Sequence, residues 1–178
     1  EYMARQLAEI IEGADGRMAI LTHDNPEPDS IASATALQAI AGAFGVEADI
    51  LYTGDVGHQE NRAFVNLLGI DLLARSEAPE LSEYGTVAAV DLAKSAEDGF
   101  DFDTDIDIYL DHLEAEVPFD ARFVDVRTNV SSTSTILTKY LQEFDQSPTE
   151  AVATALLYGI RAETLDFKRD TTPAALTA

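Results

Sequence analysis

The segment Met18-Ala19-Ile20-Leu21-Thr22-His23-Asp24-Asn25-Pro26-Glu27-Pro28-Asp29-Ser30-Ile31-Ala32-Ser33 decides how the rest of the chain is read. It opens with four apolar residues, Met18 to Leu21, the signal of a short buried strand. It then sets one His, three acids, one Asn and two prolines in seven consecutive positions, His23 to Asp29. From Ile31 to Phe44 small and apolar residues recur at helical spacing, and Gly45 follows. A strand that runs into ligand-type side chains and re-enters as a helix is an α/β site arrangement, because such sheets bind ligands at the carboxyl ends of their strands. Pro26 and Pro28 fix φ and stiffen the loop, so its carboxylates need little further ordering. The competing reading is a polar connection in which Asp29 caps the helix that follows.

Working outward, apolar Met3, Leu7, Ile10 and Ile11 predict a helix over 1–13. Ala48 to Tyr52 reads as a second strand and completes a βαβ unit, expected to be parallel and right-handed. A helix is expected over 58–68, with His58 as a surface or capping residue at its start, and a short strand over 70–73. Strands follow at 86–90, 106–110 and 122–126, then helices at 131–144 and 149–160. This alternation predicts an α/β fold: a mostly parallel, doubly wound sheet with helices on both faces. At 178 residues the expectation is one domain with a sizeable core. The start in mid-helix without Met suggests a fragment, with a further domain expected beyond Pro173.

The composition excludes more than it assigns. There is no cysteine, hence no disulfide framework and no thiolate metal site. No apolar run approaches a membrane span and no signal-peptide pattern opens the chain, so a cytoplasmic protein is expected. The net charge is −22, from 33 acidic and 11 basic residues, and only Lys94, Lys139 and Lys168 are lysines. The acids are spread along the chain rather than gathered in a tail. That pattern suits a solvated, halophilic surface, where molar salt screens charge within about 3 Å. Such a surface repels nucleic acid backbones in dilute salt and says little about the substrate.

The chemistry appears when strand ends are compared. One strand end carries His23, Asp24, Glu27 and Asp29; a second carries Asp91; a third carries Asp111 and His112. In a parallel sheet these ends share one edge and can converge. Carboxylates gathered at close range force protonation unless cations neutralise them. Oxygen and imidazole donors without sulfur suit manganese, or magnesium with more water. A carboxylate can bridge two ions about 3.5–4 Å apart, a geometry used in phosphoryl chemistry.

These motifs resemble the DHH phosphoesterase superfamily, which includes RecJ-type exonucleases, oligoribonucleases that also cleave phosphoadenosine phosphate, cyclic-dinucleotide phosphodiesterases, exopolyphosphatases and family II pyrophosphatases. The likeness runs from about Met18 to Phe167. The family's His-x-x-Pro-Asp-x-Asp is matched by His23-Asp24-Asn25-Pro26-Glu27-Pro28-Asp29, and its strand-ending Asp by Val90-Asp91. The Asp-His-His appears as Asp111-His112-Leu113, and Gly-Ile-x-x-Asp-Thr as Gly159-Ile160-Arg161-Ala162-Glu163-Thr164. A Ser/Thr-rich helix start is present as Ser131-Ser132-Thr133-Ser134-Thr135. The resemblance implies a two-manganese centre. His23, Glu27 and Asp91 would hold one ion, and Asp29, Asp91, His112 and Glu163 the other, with Asp91 bridging. Asp111 and His112 are the expected catalytic pair, Asp111 orienting His112. Ser131, Ser132 and Thr133, with Arg127, are expected to bind substrate, since a helix N-terminus favours a phosphate; ordinary capping is their other role.

Three positions depart from the family pattern. Glu27 and Glu163 keep a carboxylate but add a methylene where Asp is usual. Leu113 replaces the second His, which in the family faces the substrate phosphate. The implied function is a manganese-dependent phosphoesterase acting on phosphodiester or phosphoanhydride bonds of small nucleotides, short oligonucleotides or polyphosphate. The alternative is a catalytically degenerate nucleotide- or metal-binding regulatory domain of the same fold. Expected partners are such a substrate, a domain attached at either end, and a second copy in a homodimer, with no membrane. The family's C-terminal substrate-binding domain is expected to lie outside this chain.

Overall fold

Strand β1 (Met18–Leu21) is buried along its whole length because strands lie on both sides of it. In this computed structural model, which describes residues 2–54, 56, 59–93, 105–114 and 121–164, β1 pairs with β2 (Ala48–Tyr52) on one side and β4 (Thr86–Val90) on the other. The sheet continues outward through β3 (Leu72–Ala74) beside β2, and through β5 (Ile106–Asp111) and β6 (Ala121–Val126) beside β4. All five pairings are parallel and the order is β3-β2-β1-β4-β5-β6. The order reverses between β1 and β4. A crevice outside the carboxyl ends of two such strands is the preferred ligand position of an open α/β sheet.

The α-helices are α1 (Tyr2–Glu12), α2 (Pro28–Ala43), α3 (Gln59–Leu67), α4 (Thr133–Glu143) and α5 (Glu150–Glu163). Alternate strand residues separate two cores. Met18, Ile20, Ile50, Val90, Ile108 and Leu110 face a core shared with buried residues of all five helices. Ala19, Leu21, Leu51, Val87, Ala89 and Tyr109 face the other side, where Leu81, Tyr84 and Leu92 join them. Helices on both faces were expected; among the described residues the second face is covered by a segment containing two 3-10 turns, Arg75–Glu77 and Leu81–Glu83. The connections 94–104 and 115–120 lie outside the described residues, as does His58.

Helix α2 is the hub. Its small residues Ala32, Ser33, Ala34 and Ala36 are buried, and it packs on α4, α5 and the sheet. It begins three residues earlier than its apolar spacing predicts. Pro28 can occupy the first helical turn, where no N–H is needed, and Glu27 is the N-cap. Asp29 therefore lies inside the first turn and does not cap its own helix.

Candidate metal centre

The register brings three strand ends level. Leu21 pairs with Ala89, and Val90 with Leu110, so β1 and β4 run out beside each other at His23 and Asp91, and β4 and β5 at Asp91 and Asp111. Asp91 is fully buried and sits at φ 57°, a left-handed conformation that costs a side-chain-bearing residue about 1–2 kcal/mol. Strain of that kind at a strand end is the mark of a position over-determined by its surroundings. Its N–H donates to Leu110 O at 3.0 Å, and its carboxylate accepts from Ser30 Oγ at 2.6 Å and Thr133 Oγ1 at 3.2 Å.

Asp29 is also buried, but its partners are distant in sequence. Its Oδ1 accepts from Ser134 N at 2.8 Å and Ser134 Oγ at 2.6 Å, and its Oδ2 accepts from Thr133 N at 3.0 Å. Helix α4 carries no acid of its own in its first turn, so Asp29 supplies the negative charge that the helix start favours. The N–H groups that the sequence reading offered to a substrate phosphate are engaged by this carboxylate. Burial and the charge of Asp91 raise the Asp29 pKa to about 7, against the lowering effect of His112 and Ser134.

His112 joins the acids. Its Nδ1 lies 3.0 Å from Thr133 Oγ1, 3.5 Å from Asp91 Oδ1 and 3.8 Å from Asp29 Oδ2, and its Nε2 lies 3.3 Å from Glu163 Oε1. The shortest of these makes Thr133 the hydrogen-bond partner of Nδ1 and Asp91 its charged neighbour. Burial lowers the His112 pKa, but interactions with Asp91 and Glu163 and the charge of Asp29 outweigh it and raise it to about 10. The imidazole is then an imidazolium at neutral pH, the cation that neighbouring buried acids require.

Glu163 arrives on the last turn of α5, four residues after Gly159 and so on the same helical face. Gly159 lets α5 close onto α2 and α4. A Cβ there would lie 2.7 Å from Ser134 Oγ, 2.9 Å from Ala32 Cβ and 3.2 Å from Asp29 Cα. The Gly-Ile-x-x-Glu-Thr run thus has a direct steric meaning: the glycine sets the approach and the glutamate uses it.

Asp111 plays a different part. Its four lone-pair directions are taken by four donors: His112 N and Leu113 N on Oδ1, Ala93 N and Tyr109 OH on Oδ2, all within 3.0 Å. It therefore shapes the strand-end loop. It holds His112 through the backbone, while the ring Nδ1 stands 3.7 Å from Oδ1. Burial and Asp91 raise its pKa, and burial together with Asp111 raises that of Tyr109.

Two groups of ligand atoms lie mutually within 4.8 Å: Asp29, His112 and Glu163, and Asp91, Asp111 and His112. His23 and Glu27 fall in neither among the described residues; Glu27 is exposed, while His23 is buried. His23 Nδ1 lies 2.7 Å from Asp24 O, and since a carbonyl only accepts, Nδ1 carries the proton. Nε2 is buried and has no hydrogen-bond partner among the described residues. An imidazole fixed in that tautomer suits a metal ligand. The donor set, carboxylates and imidazole with one orphaned nitrogen, thus fits a hard or borderline divalent cation.

Of the other expected substrate residues, Arg127 and Ser132 are engaged within the protein. Arg127 makes a fork onto Asp125 at 2.9–3.1 Å and lies 5.2 Å over the Tyr140 ring. Ser132 caps α4 by accepting from Thr135 N, and buried Ser131 Oγ has no hydrogen-bond partner among the described residues. Ser30 and Tyr109 were missed by the sequence reading. Tyr109 was legible in principle, since residues two apart on a strand share a face with Asp111. Ser30 had no signal of its own beyond following Asp29.

Comparison with known proteins agrees with this architecture. An uncharacterized protein of Methanocaldococcus jannaschii is 45% identical over 154 residues, covering 86% of this chain and 32% of its own length. The chain thus spans about a third of that relative. The crystal structure of an exopolyphosphatase-related protein from Bacteroides fragilis superposes with a TM-score of 0.76 at 17% identity, covering 99% of this chain and 56% of the other. At that identity the likeness is one of fold. No helix among the described residues is long and apolar enough to cross a membrane. The sequence model of the DHH family N-terminal domain matches residues 17–160, so the chain belongs to the DHH family.

Proposed function

We propose that this chain is the metal-holding domain of a phosphohydrolase that cleaves phosphodiester or phosphoanhydride bonds in small nucleotides, short oligonucleotides or polyphosphate, using two manganese ions. The observation that carries this reading is the convergence of Asp29, Asp91 and Glu163 on one buried imidazole, His112. When bound, divalent ions activate water and offset charge that builds on the phosphoryl oxygens. Asp29, Asp91, His112 and Glu163 are the proposed ligands of one ion. Asp91 and the free Nε2 of His23 are the core of the other, with Glu27 completing it from the α2 N-cap.

The chain's own groups then hold, orient and shield. Asp111 fixes the Asp-His turn through three N–H groups and the Tyr109 hydroxyl. Leu113 stands where the family has a second His and offers no donor to a phosphoryl group, so the chemical step is slow. Substrate choice lies with an attached domain facing this sheet edge. The regulatory alternative is favoured by Leu113 and by Glu27 and Glu163, while His23, Asp29, Asp91, Asp111 and His112, all retained, favour the enzyme.

Calorimetric titration with manganese, followed by hydrolysis assays on a dinucleotide, phosphoadenosine phosphate and polyphosphate, tests the proposal. Two ions per chain are expected, and Asp91→Asn abolishes binding of both. Unchanged stoichiometry in that variant rejects the bridging role. Two bound ions with no turnover on any substrate, in the full-length protein, favour the regulatory reading.

A further inference from the structure

We infer that the first turn of α4 is a positioning device for the metal ligands, with Thr133 and Ser134 setting the geometry of Asp29, Asp91 and His112; this rests on the metal-centre reading above. The Ser/Thr run that begins α4 has two explanations from sequence, capping and phosphate binding. The structure gives it a third use. Ser132 alone performs the capping, with Oγ accepting from Thr135 N at 3.2 Å. Thr133 and Ser134 turn the other way, into the acids.

The hydrogen bonds are directional. Asp29 Oδ1 accepts two donors from Ser134, which fills both of its lone pairs. Oδ2 accepts only Thr133 N among these bonds, and it is the oxygen facing His112 Nδ1 at 3.8 Å. Asp29 is thereby set to bind a cation through one chosen oxygen. The Thr133 hydroxyl is held from both sides. It donates to Asp91 Oδ1 at 3.2 Å, so its remaining capacity at 3.0 Å from His112 Nδ1 is that of an acceptor. Nδ1 therefore keeps its proton, and Nε2, toward Glu163, is the nitrogen that would give up its proton to a metal. One threonine therefore fixes both an acid and an imidazole. Partners of this kind commonly contribute 10–100-fold to metal affinity.

The arrangement depends on tertiary packing. Ser134 Oγ is wedged where a Cβ on Gly159 would lie 2.7 Å away, so α5 confines its rotamer. The device is thus α4 held against α2 and α5.

The test uses Thr133→Val, which keeps the shape and the backbone N–H to Asp29 but removes the hydroxyl, and Thr133→Ser, which restores it. Manganese affinity is read by calorimetry, and the hydrogen-bonded Nδ1 proton of His112 by NMR without added metal. Expected are a 10–100-fold loss of affinity and loss of the sheltered Nδ1 proton resonance in Thr133→Val, with both recovered to near wild type in Thr133→Ser. Thermal melting of both variants identifies loss of fold. If Thr133→Val folds and binds manganese like wild type, or if Thr133→Ser folds and is as impaired as the valine variant, the inference is overturned. If wild type itself binds neither manganese nor magnesium, it is the metal-centre reading that fails.

Discussion

Gly159→Ala gives the sharpest test of how the site is assembled. The added Cβ would meet Ser134 Oγ at 2.7 Å, Ala32 Cβ at 2.9 Å and Asp29 Cα at 3.2 Å, all inside ordinary van der Waals contact. Two of the three neighbours cannot yield easily, since one is backbone and the other is the Cβ of a buried alanine on α2. Ser134 can rotate, but only by giving up its 2.6 Å hydrogen bond to Asp29. Overpacking of a core costs about 1–3 kcal/mol. Loss of a hydrogen bond to a charged group costs about 1.5–3 kcal/mol. Replacing Gly by Ala in a helix returns about 1 kcal/mol. The net is a destabilisation near 3 kcal/mol, which for a chain of this size lowers the melting temperature by about 6–12 °C.

Differential scanning calorimetry measures the shift, and a double mutant identifies its cause. Ser134→Ala removes the atom that Cβ strikes hardest. Ser134→Ala with Gly159→Ala should therefore lose less than the sum of the single losses, by about 1 kcal/mol or more. A Gly159→Ala protein that melts at or above wild type refutes the steric argument. Strict additivity in the cycle refutes the role of Ser134 in it.

Four further outcomes follow from the same geometry. Leu113 is 40% exposed, so Leu113→His should fold normally, with stability within about 0.5 kcal/mol of wild type, and raise turnover by restoring a donor; unchanged turnover on every substrate counts against an impaired enzyme. Glu163→Asp withdraws the carboxylate by about 1.5 Å from a contact of 3.3 Å, and manganese calorimetry should show weaker binding even though Asp is the family residue. Without metal, both Asp29, raised to about 7, and His112, raised to about 10, hold protons in the fold that the unfolded chain has released. Each contribution is complete below the unfolded pKa and is lost as pH rises through the folded one, so the melting temperature should fall from about pH 4 to 7 on account of Asp29 and from near neutral toward about pH 10 on account of His112, and saturating manganese should flatten the fall above neutral. The net charge of −22 predicts that molar KCl raises the melting temperature; a flat salt response contradicts a salt-adapted surface.

Strands β1 and β4 were legible because they are buried along their whole length and so read as short runs free of charge. Their bounds coincide with those runs, and the bounds of β2 were read correctly across Asp49. β3 was read two residues early at its start, since it is only three residues long and half-buried, and its pattern hardly differs from the turn before it. The start of α2 was misplaced because spacing alone does not register Pro28 as a helical residue. Among site residues, those named by motif at strand ends, Asp91, Asp111 and His112, lie together because a parallel sheet aligns its ends. The partner of Asp29 could not be read that way. It is 104–105 residues distant, and the pairing depends on how α2 and α4 pack.

One sequence feature does bear on that pairing, though only the structure gives it meaning. Five hydroxyl residues, Ser131 to Thr135, run through the N-cap into the start of helix α4, which has no acid in its first turn. Although the protein has three acids for every base, α4, like α1, starts without one. A positive helix end left bare in such a chain calls for an anion from elsewhere. A substrate phosphate and a neighbouring carboxylate satisfy the same electrostatic demand, so charge alone does not choose between them. Packing does, because Gly159 brings α5 close enough to press Ser134 and Asp29 together. The same contact that fills the helix end leaves Asp29 Oδ2 turned toward His112. Capping, packing and ligand placement are thus one constraint, and a change at Gly159, Ser134 or Asp29 should disturb all three at once.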